Sequence, residues 1–257
     1  AEDTNVGNES VDIQQQEPVE ISELETTENN DLSKSSESIT VDESIAEDIL
    51  ATQADTAVVV GTVSDYLTAK GDAKLYNINL PAGVYLQAQL TTPANADLDY
   101  DLYLLDAEGN ILTGSDYYTY INGTAGTLPE ALGYITSGDT ATYYLYVLAS
   151  EGGSVSESFT LDYSVSTACD SYEIDESVRQ ALAFTYGAGG AYIESRNLSS
   201  PIDNDWYVIT VPSSRIYDKL KISATTASTN TCSVEVYQNV ASEGYQMKRV
   251  GSGNTIS

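Results

Sequence analysis

Lys74-Leu75-Tyr76-Asn77-Ile78-Asn79-Leu80-Pro81 is the stretch on which the reading of the fold turns. Leu75, Asn77 and Asn79 alternate with Tyr76, Ile78 and Leu80, a period of two that gives a strand one apolar face and one wet face. Pro81-Ala82-Gly83 then supplies a turn. Working outward, comparable short runs cover 57–63, 84–91, 100–106, 140–149 and 157–165. They are separated by Ala69-Lys70-Gly71-Asp72, Ala107-Glu108-Gly109-Asn110 and Glu151-Gly152-Gly153-Ser154. Many short strands with turn signals between them predict an all-β chain, an antiparallel sandwich or barrel.

Composition agrees. Twenty Tyr and many Thr, Val and Ser suit a pleated, half-buried surface, whereas Met, Lys and Arg are scarce. The formal charge of −29, with only ten Lys and Arg, excludes nucleic acid as an expected partner, because phosphate binding draws on those residues. No stretch approaches the roughly 20 apolar residues of a membrane span, so no membrane insertion is expected, and the chain is expected to be monomeric. Residues 1–50 hold 15 acids against the single base Lys34, without sustained periodicity, so 1–54 reads as a disordered acidic leader. The opening Ala-Glu-Asp fits a mature chain after signal removal, and equally a chain trimmed by other means.

The strand at 74–80 has a second copy. Leu75-Tyr76-Asn77-Ile78-Asn79-Leu80-Pro81 recurs as Trp206-Tyr207-Val208-Ile209-Thr210-Val211-Pro212 at an offset of 131, and one further residue of shift sets Leu102 and Leu104 against Val234 and Val236. This divides the chain into the leader 1–54, a first sandwich 55–167 and a second sandwich 168–257. From Tyr76 to Val165 the first copy spans 90 residues, but only 51 run from Tyr207 to Ser257, and nothing there matches the strands at 140–149 and 157–165. The second copy is therefore expected to be incomplete and the natural protein to continue past Ser257.

Cys169-Asp170-Ser171-Tyr172-Glu173-Ile174-Asp175-Glu176-Ser177, then Ala181, then 198–211 with Asp203-Asn204-Asp205-Trp206-Tyr207 at its centre, resembles the bacterial pre-peptidase C-terminal domain. That family opens with a D-x-Y-E-x-N-D-S-like segment, followed by a D-x-D-W-Y strand and a D-x-D-L-x-L strand. The first copy matches the last of these as Asp99-Tyr100-Asp101-Leu102-Tyr103-Leu104. The resemblance covers 55–165 and 170–257. It departs at Asp72-Ala73-Lys74-Leu75-Tyr76 in the first copy and at Ser233-Val234-Glu235-Val236 in the second. It implies tandem jelly-roll-like antiparallel sandwiches of a secreted or cell-surface protein, appended to exported enzymes for adhesion, substrate targeting or processing. The expected function is thus a non-catalytic bacterial surface or accessory protein whose partner is an extracellular polysaccharide, a matrix protein or a host protein. A fragment of an exported hydrolase with its catalytic domain elsewhere, and a structural stalk, are the alternatives.

The absence of His excludes Ser–His–Asp and Cys–His catalysis and His-ligated metals, so no catalytic residue is expected. Asp97, Asp99 and Asp101 could form a carboxylate pair, but alternation points all three to one face, and a solubilising acidic face or a hydrogen-bonded turn is the better explanation of the cluster. Calcium is the better-founded cofactor, since a hard cation takes about six to eight oxygens. The resemblance implies that the opening segment and the loop before the strand hold it jointly, with Glu173, Asp175, Glu176, Asp203 and Asp205 as ligands. The alternative is that Asp175 caps a helix over 177–184 while Asp203 and Asp205 shape a turn. Tyr117, Tyr118 and Tyr120, in a long segment between strands, are candidates for stacking on a sugar ring or a peptide; anchoring of that segment on the sheet is their alternative. Cys169 and Cys232 fit no zinc spacing; a disulfide and two unpaired thiols both remain open.

Overall fold

The computed structural model describes residues 37–38, 58–116, 120–121, 124–125, 128–167, 169, 171–185, 198–210, 222–223, 233–239, 247–253 and 255–256. Among the described residues all regular structure is β. In chain order the strands of the N-terminal half are β1 (Glu37–Ser38), β2 (Val58–Asp65), β3 (Ala73–Leu80), β4 (Tyr85–Thr91), β5 (Asp99–Leu105) and β6 (Ile111–Ser115). They continue with β7 (Tyr120–Ile121), β8 (Thr124–Ala125), β9 (Glu130–Ile135), β10 (Ala141–Glu151) and β11 (Phe159–Ser166).

Two sheets make a sandwich, one in the order β1-β3-β10-β5-β6 and the other β2-β11-β4-β9. Every pairing in them is antiparallel except that of β1, which lies parallel to Tyr76 and Asn77. The rest of the expected leader lies outside the described residues.

The alternation in β3 does what its pattern demands. Tyr76, Ile78 and Leu80 are each 1% exposed and join Leu86 and Leu90 of β4, Leu102 and Leu104 of β5, Leu145 of β10 and Leu161 of β11 in one core. Tyr100 and Phe159 meet edge to face across the two sheets at 6.2 Å, worth about 1 kcal/mol beyond the area they bury. The turn from β5 to β6 is tied by Asp106, whose Oδ1 accepts from Glu108 N at 3.0 Å and Asn110 N at 2.7 Å. Asp106→Ala is expected to cost about 1 kcal/mol in urea unfolding, the usual value of such a side-chain cap.

All six expected runs of the first copy are strands, β2, β3, β4, β5, β10 and β11. The connection between 106 and 140, expected as one long segment, instead holds β6 and β9 as full edge strands and the short hairpin β7–β8.

Beyond Ser166 the strands are β12 (Leu182–Thr185), β13 (Tyr207–Thr210), β14 (Ile222–Ser223), β15 (Val234–Asn239), β16 (Met247–Gly253) and β17 (Thr255–Ile256). β12 lies parallel to β13, whereas β14 pairs with β17 and β15 with β16 antiparallel. Tyr207 opens β13 as its counterpart Tyr76 lies in β3, and Val234 opens β15 as its counterpart Leu102 lies in β5. Trp206 and Tyr237 stack at 5.6 Å. Their counterparts by the same offsets, Leu75 and Leu105, share one apolar cluster on the first sandwich.

Candidate metal centre

In β4, Leu86, Ala88 and Leu90 face the core, so Tyr85, Gln87 and Gln89 face outward. Outward polar side chains should be wet, yet Tyr85 and Gln87 are each 1% exposed. Segment 173–180 lies over them. Gln87 Nε2 donates to Glu176 Oε1 at 2.7 Å; Tyr85 Oη donates to the same oxygen and lies 2.9 Å from Glu173 Oε2.

The same segment closes the open side of the sandwich, where β9 and β6 are the edge strands of the two sheets. Gly133 N donates to Gln180 Oε1 at 3.1 Å and Gln180 Nε2 returns a bond to Gly133 O at 3.0 Å. One carboxamide thus satisfies both backbone groups of an edge residue, which would otherwise invite another strand. Gln180 Nε2 also reaches Thr113 Oγ1 of β6, and Arg179 pairs with Asp116 beyond it. A Cβ at Gly133 would lie 2.7 Å from both Glu176 Cγ and Tyr85 Oη, so only glycine admits the segment this close.

A second segment, 198–206, completes the cluster. Trp206 N donates to Asp175 O at 2.8 Å, Leu182 N to Trp206 O at 2.9 Å and Asn204 N to Glu176 Oε2 at 3.2 Å. With β12 alongside β13, these bonds carry the two acidic groups into contact across about thirty residues of chain. Ser199 N donates to Asp203 Oδ2, and Tyr207 Oη to Asp205 Oδ2 at 3.0 Å. Carboxylate oxygens of Glu173, Glu176 and Asp203 lie within 4.8 Å of one another, and so do those of Glu173, Asp175 and Asp205. The five expected residues therefore form two adjoining groups that share Glu173.

Like charges held this close out of water resist ionisation. Burial, then the charges of Asp205, Glu173 and Asp203, push the Asp175 carboxyl up to about 8. Burial likewise pushes Glu176 up to about 8, against the opposing effect of the Gln87 and Tyr85 hydrogen bonds. Burial and the two glutamates raise the Tyr85 hydroxyl, keeping it a donor. Asp175 and Asp203 are 2% and 8% exposed, and the Oδ1 of each has no hydrogen-bond partner among the described residues. Buried oxygens normally find a partner. The donor set is all oxygen, so the residues fit a hard divalent cation such as calcium.

The helix-cap alternative fails, because Leu182–Thr185 is a strand and no helix spans 177–184. Tyr117 and Tyr118 lie outside the described residues, and Tyr120 opens β7. Cys169 is exposed, and Cys232 lies outside the described residues. Asp99 and Asp101 share the outward face of β5, whereas Asp97 sits in the turn before it. Asp101 is only 8% exposed, contrary to a solvated acidic face; burial, then Asp99 and Asp116, push it up to about 7.

No family model and no curated protein matches the chain. Its similarities are to solved structures. One is the pre-peptidase C-terminal domain of a collagenase from Bacillus anthracis, 16% identical over 41% of this chain and 87% of that one, with a TM-score of 0.28. Another is PliG of Aeromonas hydrophila, a periplasmic inhibitor of g-type lysozyme, 10% identical over 51% of this chain and 96% of that one, with a TM-score of 0.28. A third is the C-terminal CBM6 of LamC from Zobellia galactanivorans, 15% identical over 44% of this chain and all of that one, with a TM-score of 0.26. At these scores the likeness lends no weight to any one function.

Tyr85, Gln87, Gly133 and Gln180 escaped the reading of the sequence. The one signal for the first two was polarity at outward positions of a strand, which any wet sheet face shows.

Proposed function

We propose that the chain is a non-catalytic accessory part of an exported bacterial protein, a calcium-stabilised pair of β-sandwich modules serving adhesion or substrate targeting outside the cell. The observation that carries this reading is the convergence of Glu173, Asp175, Glu176, Asp203 and Asp205, with the buried Oδ1 atoms of Asp175 and Asp203 given no hydrogen-bond donor by the described residues. An all-oxygen site of this kind suits the calcium concentrations met by extracellular modules, at dissociation constants of about 0.1–1 mM. The equivalence of the Trp206–Tyr237 contact with the Leu75–Leu105 cluster supports the second module.

Titration calorimetry of the whole chain with calcium tests the metal, with Asp175→Asn expected to bind at least tenfold more weakly. Absence of binding at several millimolar calcium would remove the cation from the proposal. Sedimentation of the chain with insoluble polysaccharides and fibrous matrix protein tests targeting, which is expected to require calcium. The docking of segment 173–180 on the sandwich favours a second reading, a rigid stalk. Calcium binding without retention on any such surface selects it.

A further inference from the structure

The five carboxylates come from the chain beyond Ser166, but the surface that holds them belongs to the first sandwich. Glu176 is gripped by Tyr85 and Gln87 of β4, Gln180 by the backbone of Gly133 in β9, and Arg179 by Asp116 just beyond β6. Ser199 Oγ meets Gln87 Oε1 at 3.4 Å, and Asn204 Nδ2 donates to Gln89 Oε1 at 3.2 Å, so the second acidic segment rests on the same face. We propose that cation binding and the docking of segments 173–180 and 198–206 on the outer face of β4 and β9 are a single coupled equilibrium. A divalent cation then acts as a clasp that fixes the chain after Ser166 to the sandwich. The proposal rests on the calcium reading above and adds to it the role of the first module.

Two physical terms produce the coupling. Docking withdraws Asp175, Glu176 and Asp203 from water beside Glu173, and their mutual repulsion opposes it until a cation supplies the missing positive charge. In the other direction, Tyr85 and Gln87 fix the Glu176 carboxylate where the cation needs it, an ordering that the undocked segment would have to supply from its own binding energy. Reciprocity then requires that the cation strengthen docking by the same factor by which docking strengthens cation binding, so a variant that abolishes docking loses that factor in affinity. Asp175 Oδ1 and Asp203 Oδ1, buried and given no hydrogen-bond donor by the described residues, mark the centre as built for a ligand.

Gly133 gives a test that leaves every carboxylate in place. A valine there would enter the space held by Glu176 Cγ, Tyr85 Oη and Ile174 Cγ2 and lift the segment off the sheet. The full-length chain and Gly133→Val are titrated with calcium by calorimetry, and backbone amide exchange is followed in 173–180 and in β3 and β10 with and without calcium. Calcium is expected to slow exchange in 173–180 of the unaltered chain, and Gly133→Val is expected to bind calcium at least tenfold more weakly without that protection. Slow exchange in β3 and β10 shows that the variant folds. If it does not, Tyr85→Phe, which removes one donor and little volume, is expected to weaken binding about threefold and replaces it. Equal calcium affinity in variant and unaltered chain, or binding that leaves exchange in 173–180 unchanged, overturns the clasp while leaving the calcium reading intact. No binding to either protein overturns both.

Discussion

Excess calcium at pH 8 is expected to raise the midpoint of thermal unfolding by about 5–10 °C, and Asp175→Asn, binding at least tenfold more weakly, is expected to remove about half of that rise or more. Free cation at about 100 times its dissociation constant adds about 2.7 kcal/mol to the native state, and 1 kcal/mol moves the midpoint of a domain of this size by about 2–4 °C. The effect should shrink with acid. Asp175 and Glu176 are held up to about 8 in the folded chain, against about 4 in the unfolded one. Between those values these two groups bind more protons in the cation-free native state than in the unfolded state, so their contribution to stability is complete below about pH 4 and is lost as the pH rises to 8. Calcium must displace those same protons, so its contribution is largest above pH 8 and falls to a small fraction at pH 5. Scanning calorimetry at the two pH values, with calcium and with a chelator, checks both halves. An equal calcium shift in Asp175→Asn would show that the cation acts elsewhere.

The strands that alternate cleanly could be found in the sequence because each carries its own burial pattern. Tyr76, Ile78 and Leu80 need no neighbour to declare which side of β3 is inside. β6 and β9 hid because glycine interrupts them, and glycine in a strand is ordinarily a sign of weakness. The structure gives each a reason that involves another segment. At Gly114 a Cβ would lie 2.4 Å from Tyr103 Cδ1, since the ring from the adjacent strand lies on the bare backbone. At Gly133 the occupant is segment 173–180. In both, the residue that reads as a break is the place where something else fits, a ring from the neighbouring strand at Gly114 and a segment about forty residues downstream at Gly133.

The candidate centre divides the same way. Its five acids stand in recognisable runs, and the parallel pairing of β12 with β13 brings the runs together. Their support does not announce itself. Tyr85 and Gln87 occupy outward positions of β4, where a polar residue is expected whether the face is covered or bare. Local pattern fixes which way a side chain points but not what arrives to cover it, and the cover comes from about ninety residues downstream.

Glu130→Gln is expected to stabilise the chain by about 1–3 kcal/mol at pH 8 and to change nothing at pH 4, the magnitude being that of relieving a buried, unpaired charge. Glu130 has the parity of Leu132 in β9, so its carboxyl points into the sandwich, where it is 4% exposed. Ser115 of β6 donates to Glu130 Oε2 and accepts from Ala131 N at 3.2 Å, so the pair bridges the edges of the two sheets. Burial raises its pKa well above the ordinary value, outweighing the Ser115 hydrogen bond, and Asp101, Asp99 and Asp116 add to the rise. A carboxyl raised in the folded state is proton-rich relative to the unfolded chain. Its stability contribution is therefore complete below about pH 4 and is lost progressively as the pH climbs toward the folded value. Glutamine keeps an acceptor for Ser115 and carries no charge at any pH, so the variant should lose this slope while the unaltered chain keeps it. Urea unfolding of both proteins at pH 4, 6 and 8 with chelator present isolates the effect from any cation. Equal stabilities at pH 8 would mean that Glu130 ionises without cost, and hence that water reaches it between β6 and β9.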